Sequence, residues 1–221
     1  PLTAISVARE CGLVHPNQKV VLGAGVKIDN QPGITIQWSD VEFSSFKPIN
    51  TSFGRHQSFY GPVGSVVIEM DVRKPPKARN KSVQLNSIED IVKPPSQKIY
   101  SEPAKLLKIL ETSDDVVIAM TGNAFSKLQE FLTSEGPNYK ELYDQIMNKA
   151  IIFSRMHPEH KSHLIQAFQQ KRLIVGMCGD GANDVRALKA AHAGISLSEA
   201  EASIAAPFTS NIQDITCVPR L

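Results

Sequence analysis

From residue 101 to residue 218, short apolar runs alternate with amphipathic stretches of helical length, and few folds accept that alternation. Helices are expected at 103–112, 124–132, 138–149, 158–170 and 183–191, with a short one at 199–206. Strands are expected at 115–120, 150–154, 172–177, 193–197 and 212–218. Strands joined through helices of this length form right-handed βαβ units, so the fold class is α/β with a Rossmann-like, mostly parallel sheet. Chemistry in such sheets gathers at the carboxyl ends of the strands.

The first hundred residues are less regular. Residues 2–11 have helical spacing of apolar side chains, and Gly12 suits the position just past a helix end. Residues 14–70 carry many Gly, Pro, Asn and Ser between β-like runs such as GITIQW and SVVIEM. Residues 73–98 hold two Pro-Pro pairs and KARNKS, the composition of a solvated loop, in which Arg73, Lys74, Lys77, Arg79 and Lys81 form a basic run. The expected division is therefore 1–14 as the start of the α/β domain, 15–114 as a loop- and β-rich insertion, and 115–221 as the core.

Composition removes several classes. Lys plus Arg number 24 against 22 Asp plus Glu, a net charge of +2, so nothing in the balance suggests a nucleic-acid partner. Cys11, Cys178 and Cys217 are too widely spaced for a zinc pair and odd in number for a disulfide framework. No run approaches the roughly 20 apolar residues that span a bilayer. The chain opens at Pro1 inside what reads as a helix, which is expected of a piece of a longer protein.

The strongest chemical signal is CGDGAND, Cys178 to Asp184, directly after the apolar run LIVGM. A strand ending there delivers Asp180 to the sheet edge. Gly179 and Gly181 permit a sharp turn and leave room for a ligand. Asn183 and Asp184 then fall in the first turn of a helix. Asp180 and Asp184 offer hard oxygen donors in one small volume, the donor type Mg²⁺ prefers. The plain alternative is a Gly-Asp turn capping a helix. Upstream, RMHPEHKSHLI places Lys161 one turn into a helix that follows a strand, from which its ammonium can meet a phosphoryl group at the same edge. His157, His160 and His163 surround that helix start without a Cys or carboxylate to complete a metal tetrad, and solvated histidines are the plainer reading. Cys178 has no neighbouring general base in the sequence and reads as a small buried residue.

These segments resemble the haloacid dehalogenase superfamily and, within it, the phosphorylation domain of P-type ATPases. GDGANDVRALKAAHAGISL is similar to that family's hinge motif and RMHPEHKSHLI to its lysine motif. PLTAISVARECGLV resembles the helix that follows the family's Thr-Gly-Asp tripeptide, and SLSEAEASIAAPFTSNIQDITCVP resembles the B group of the type V branch. The resemblance implies Asp180 and Asp184 as Mg²⁺ carboxylates, Lys161 as the phosphoryl-neutralising lysine, Asn183 as a phosphoryl-region contact, and Gly179 and Gly181 as the loop glycines beside the cofactor. Thr121-Gly122 resembles a strand-end pair of structural role. The cofactors implied are Mg²⁺ and ATP, ATP being held mostly by parts outside this chain. The implied cargo is a cation or polyamine, and the place is the cytosolic face of an intracellular membrane such as the lysosome or endosome.

The chain departs from the pattern in lacking any Asp-Lys-Thr-Gly. The phosphorylated aspartate is therefore expected outside it, and the chain alone is expected to be inactive. Arg186 stands where the branch usually has a small residue, and His192 where Asp is common. The rival readings are a soluble phosphatase of the same superfamily and a non-catalytic interaction domain. The phosphatase needs an Asp-x-Asp after an apolar strand, which the sequence does not contain; Asp114-Asp115 lies at the wrong end of one.

Overall fold

A computed structural model describes residues 1–27, 34–41, 99–100, 103–134, 137–197, 204, 206–210 and 214–220. The SVVIEM run, the basic run and both Pro-Pro pairs lie outside the described residues, as does most of the short helix expected at 199–206. The fold is α/β with mostly parallel strand pairing, a Rossmann-like arrangement of the haloacid dehalogenase kind. The chain divides into two compact units, Pro1–Arg155 and Met156–Leu221.

In the first unit, helix α1 (Leu2–Glu10) is followed by strands β1 (Lys19–Lys27), β2 (Ile34–Val41) and β3 (Ile99–Tyr100), helix α2 (Pro103–Thr112), strand β4 (Val116–Thr121), helices α3 (Gly122–Ser134) and α4 (Pro137–Lys149), and strand β5 (Ala150–Ser154). The sheet order is β3-β2-β1-β4-β5. The pairings β1/β4 and β4/β5 are parallel, while β2 runs antiparallel to both β1 and β3. Val116 to Met120 of β4 are all buried, as a strand covered on both faces requires. Ala4, Ile5 and Ala8 of α1 share one helical face and join Val20, Leu22, Val117, Ala119 and Ile152 in the core. Gly12, with φ +76°, ends α1 as expected. Phe125 of α3 meets Phe153 of β5 edge to face, ring centroids 5.9 Å apart. The Thr121 hydroxyl accepts hydrogen bonds from the Ala124 N–H at 3.3 Å and the Gly25 N–H at 3.2 Å. It thereby caps α3 and fastens it to β1.

Gly23 sits opposite Trp38 across the β1/β2 pair. A Cβ at residue 23 would lie 2.5 Å from the Trp38 ring, which is buried. Gly23→Ala should therefore destabilise the chain by about 1–3 kcal/mol through overpacking. Urea denaturation measures this, and an unchanged midpoint would contradict the contact.

The second unit contains helix α5 (Pro158–Gln170), strand β6 (Gly176–Gly179), a 3₁₀ turn (Ala182–Asp184), helix α6 (Val185–Ala190), strands β7 (Ala193–Ser196) and β8 (Phe208–Thr209), and a final 3₁₀ helix (Ile215–Arg220). Its sheet order is β6-β7-β8, and both pairings are parallel. Pro158 opens α5 at its first turn, behind an extended His157.

Two expectations are corrected here. The strand expected at 172–177 begins only at Gly176, because α5 ends in a Schellman arrangement that consumes the first apolar residues. Arg172 takes φ +61°, its N–H bonds the Gln169 carbonyl, and the Leu173 N–H bonds the Phe168 carbonyl. Ile174 is left 86% exposed. The strand expected at 212–218 is instead the final 3₁₀ helix, and the place beside β7 is taken by Phe208–Thr209. The β-propensity of Ile-Thr-Cys-Val yields to this tertiary pairing.

Candidate phosphoryl-transfer site

The site residues expected from sequence all lie in the second unit. Strand β6 ends at Gly179, so Asp180 stands at its carboxyl end, and its side chain is exposed. The chain then turns into the 3₁₀ turn that holds Asn183, half-buried, and Asp184, buried. Helix α5 packs against this turn and against α6. Lys161, one turn into α5, points its ammonium inward.

That packing forms the central contact. Lys161 Nζ lies 2.8 Å from Asp184 Oδ1, with side chains only 5% and 9% exposed. The second carboxylate oxygen, Oδ2, accepts the Gly181 N–H at 3.3 Å, and the Asp184 N–H returns a bond to the Gly181 carbonyl at 3.0 Å. A Cβ on Gly179 would stand 2.7 Å from Cβ, Cγ and Oδ2 of Asp184. Only a glycine at 179 lets the carboxylate lie flat over the strand end, within reach of both Lys161 and the loop amide.

The two acidic residues are thus held in different ways. Asp184 is buried and tied to a cation and a backbone amide. Asp180 is exposed at the strand end and open to an incoming ligand. The sequence implied both as carboxylates but carried no sign that Lys161 and Asp184 meet, since 23 residues separate them. It also missed an outer pair beside them. Arg186 Nη1 lies 3.0 Å from Glu159 Oε1, both exposed, which adds an ion pair between α5 and α6. His192, the other departure, accepts the Val175 N–H on Nδ1 at 3.0 Å and holds the approach to β6.

The remaining titratable groups are structural neighbours. His157 and His160 meet edge to face at 5.2 Å. Burial lowers the His160 pKa, and the imidazoles of His157 and His163 lower it further, against an opposing pull from Glu159. Cys178, expected as a small buried residue, is half-buried. Burial pushes its thiol up to about 11, with Cys217, Asp184 and Asp180 adding to the shift. At pH 8 roughly one such thiol in a thousand is ionised. Iodoacetamide should therefore label Cys178 roughly a hundredfold more slowly than an ordinary free thiol, as read by mass spectrometry. Labelling at the ordinary rate would show that the thiol is not shielded.

Among the described residues no three or more His, Cys, Asp or Glu side chains gather to enclose a metal. The donors on offer are one exposed carboxylate and one already engaged. Such a set fits Mg²⁺, which keeps most of its waters and takes one or two carboxylates, better than a metal that needs a closed protein cage.

No family model matches the chain. Curated proteins do, over nearly its whole length. It is 36% identical over 225 residues to the probable cation-transporting ATPase catp-6 of Caenorhabditis elegans, covering 99% of this chain and 16% of that protein. It is 34% identical over 221 residues to the probable cation-transporting ATPase 13A4 of Mus musculus, covering 99% and 14%. It is 32% identical over 220 residues to the polyamine-transporting ATPase 13A3 of Homo sapiens, covering 100% and 14%. The chain belongs to the type V branch of the P-type ATPases. This P-type ATPase chain spans only 14–16% of the length of those relatives. Among its described residues no helix is long and apolar enough to cross a membrane.

Proposed function

We propose that this chain forms part of the cytosolic phosphorylation domain of an ATP-driven transporter of cations or polyamines. In this reading it supplies the Mg²⁺ loop and the phosphate-contacting lysine for formation and hydrolysis of an aspartyl phosphate. Residues 1–14 and 115–221 belong to that domain and 15–114 to a variable insertion. The observation that carries the reading is the buried Lys161–Asp184 pair at 2.8 Å beside an exposed Asp180, at the carboxyl end of a parallel strand.

Phosphoryl transfer asks the protein mainly for positioning and for compensation of negative charge. Lys161 brings a compact positive charge to the strand end. Asp184 holds that ammonium in one place and ties it to the loop through the Gly181 amide. Asp180 presents its carboxylate outward, and Asn183 offers an amide one residue before the anchoring carboxylate. Bound Mg²⁺, held by Asp180 with Asp184 behind it, would neutralise charge on the transferring phosphoryl group. ATP, the nucleophilic aspartate and the transported cargo would be provided by other parts of the complete ATPase, set at an intracellular membrane. The cargo follows from the names of the relatives, two of them cation-transporting and one polyamine-transporting.

The test is phosphoenzyme labelling from ATP in the complete ATPase. Loss of label in Asp180→Asn supports the reading, and labelling at the wild-type level overturns it.

A further inference from the structure

We propose that the exposed Glu159–Arg186 pair tunes how strongly the glycine-aspartate loop attracts Mg²⁺, with Glu159 cancelling a cation that opposes the metal; this rests on the phosphoryl-transfer reading above. Glu159 lies in the first turn of α5, where the helix dipole favours an anion. Arg186 is the second residue of α6, where the dipole disfavours a cation. The first turn of α6 holds no acidic residue to offset it. The offset comes from α5 instead: Arg186 Nη1 meets Glu159 Oε1 at 3.0 Å, with side chains 65% and 68% exposed.

This outer pair decides the balance of charge around the strand end. Lys161 with Asp184, and Arg186 with Glu159, each cancel. Among these groups the charge left over is that of Asp180, exposed at the end of β6. Asp184 lies against Gly179, the residue before Asp180, and Arg186 follows Asp184 by two residues. Exposed charges act on one another over about 10 Å at ordinary salt. Arg186 is therefore placed to oppose a divalent cation arriving at Asp180, and Glu159 to remove that opposition. Neither side chain needs to touch the metal. A pair that merely ties α5 to α6 behaves differently, because losing either partner breaks the same contact. Charge compensation instead requires the two losses to act in opposite directions: Glu159→Gln leaves a bare cation beside the loop, and Arg186→Gln leaves a second open carboxylate.

The experiment uses the complete ATPase as wild type, Glu159→Gln, Arg186→Gln, the double variant and Asp180→Asn, all at constant pH. It reads the Mg²⁺ concentration for half-maximal phosphoenzyme formation and, without ATP, the dissociation constant for Mg²⁺ by titration calorimetry. Both substituted side chains are exposed, so folding should be little affected. Glu159→Gln is expected to raise both quantities about twofold to fivefold, the size of an exposed charge interaction. Arg186→Gln should lower both by a similar factor, and the double variant should return close to wild type. The maximal rate at saturating Mg²⁺ should stay unchanged, and high salt should erase the differences. Single variants that leave Mg²⁺ dependence unmoved, or that move it in the same direction, overturn the proposal. Asp180→Asn separates the two layers. If it binds Mg²⁺ and forms phosphoenzyme as wild type does, the phosphoryl-transfer reading fails and the compensation fails with it. If it loses both while Glu159→Gln and Arg186→Gln behave as wild type, only the role of the outer pair fails.

Discussion

Lys161→Met is expected to cost about 3–5 kcal/mol of folding stability and to end phosphoenzyme formation. Methionine has nearly the right length, so the cost comes from charge. The substitution strands the Asp184 carboxylate in a site where its side chain is 9% exposed, with the Gly181 amide as its remaining partner of known geometry. Removing both charges together should behave differently. Lys161→Met combined with Asp184→Leu replaces a buried pair by apolar groups and should recover most of the lost stability. Activity should not return, because the cation proposed to face the phosphoryl group is gone. Chemical denaturation of the three variants, beside phosphoenzyme labelling, reads both effects. A single variant within 1 kcal/mol of wild type would mean that the pair is not the anchor of this loop.

Asp180→Asn should do the opposite: little to stability and nearly everything to chemistry. The side chain is exposed at the end of β6, so removing its charge should move folding stability by no more than about 0.5 kcal/mol. An amide lacks the negative charge that a divalent cation requires of its ligands. Phosphoenzyme formation should fall by about 10²–10³-fold, the scale on which a positioned charge-stabilising group is worth its place. Raising Mg²⁺ should restore part of the rate, which sets a metal ligand apart from a residue that merely shapes the loop. A variant that unfolds, or one that labels normally at any Mg²⁺ concentration, would contradict the assignment.

Much of this geometry was legible in the sequence, for reasons that can be named. α2, β5 and α5 fall on the expected 103–112, 150–154 and 158–170 to the residue. Each is bounded by a local signal, such as Pro158 at the helix start or the switch from helical to continuous apolar spacing. The position of Asp180 at a strand end followed from an apolar run meeting Gly-Asp-Gly. The errors arose where tertiary bonding outweighed local preference. Leu173, Ile174 and Val175 look like strand, yet the Schellman turn around Arg172 takes them first. Ile-Thr-Cys-Val near the end looks like strand as well, but Phe208–Thr209 occupies the neighbouring position. The Lys161–Asp184 pair could not be foreseen, because no pattern in one sequence says which of several cations meets which of several carboxylates across 23 residues.

The hydrogen bond from Gly25 to the Thr121 hydroxyl joins residues 96 positions apart. Closing a loop of that size is entropically costly, but the cost grows only with the logarithm of its length. Doubling the intervening segment would subtract only about 0.6 kcal/mol. The β1–β4 seam therefore tolerates large changes in what lies between its strands without threat to equilibrium stability. The penalty appears in time instead. A contact between residues so distant in sequence forms late and slows folding, so selection on this segment's length would act through folding rate before it acted through the folded state.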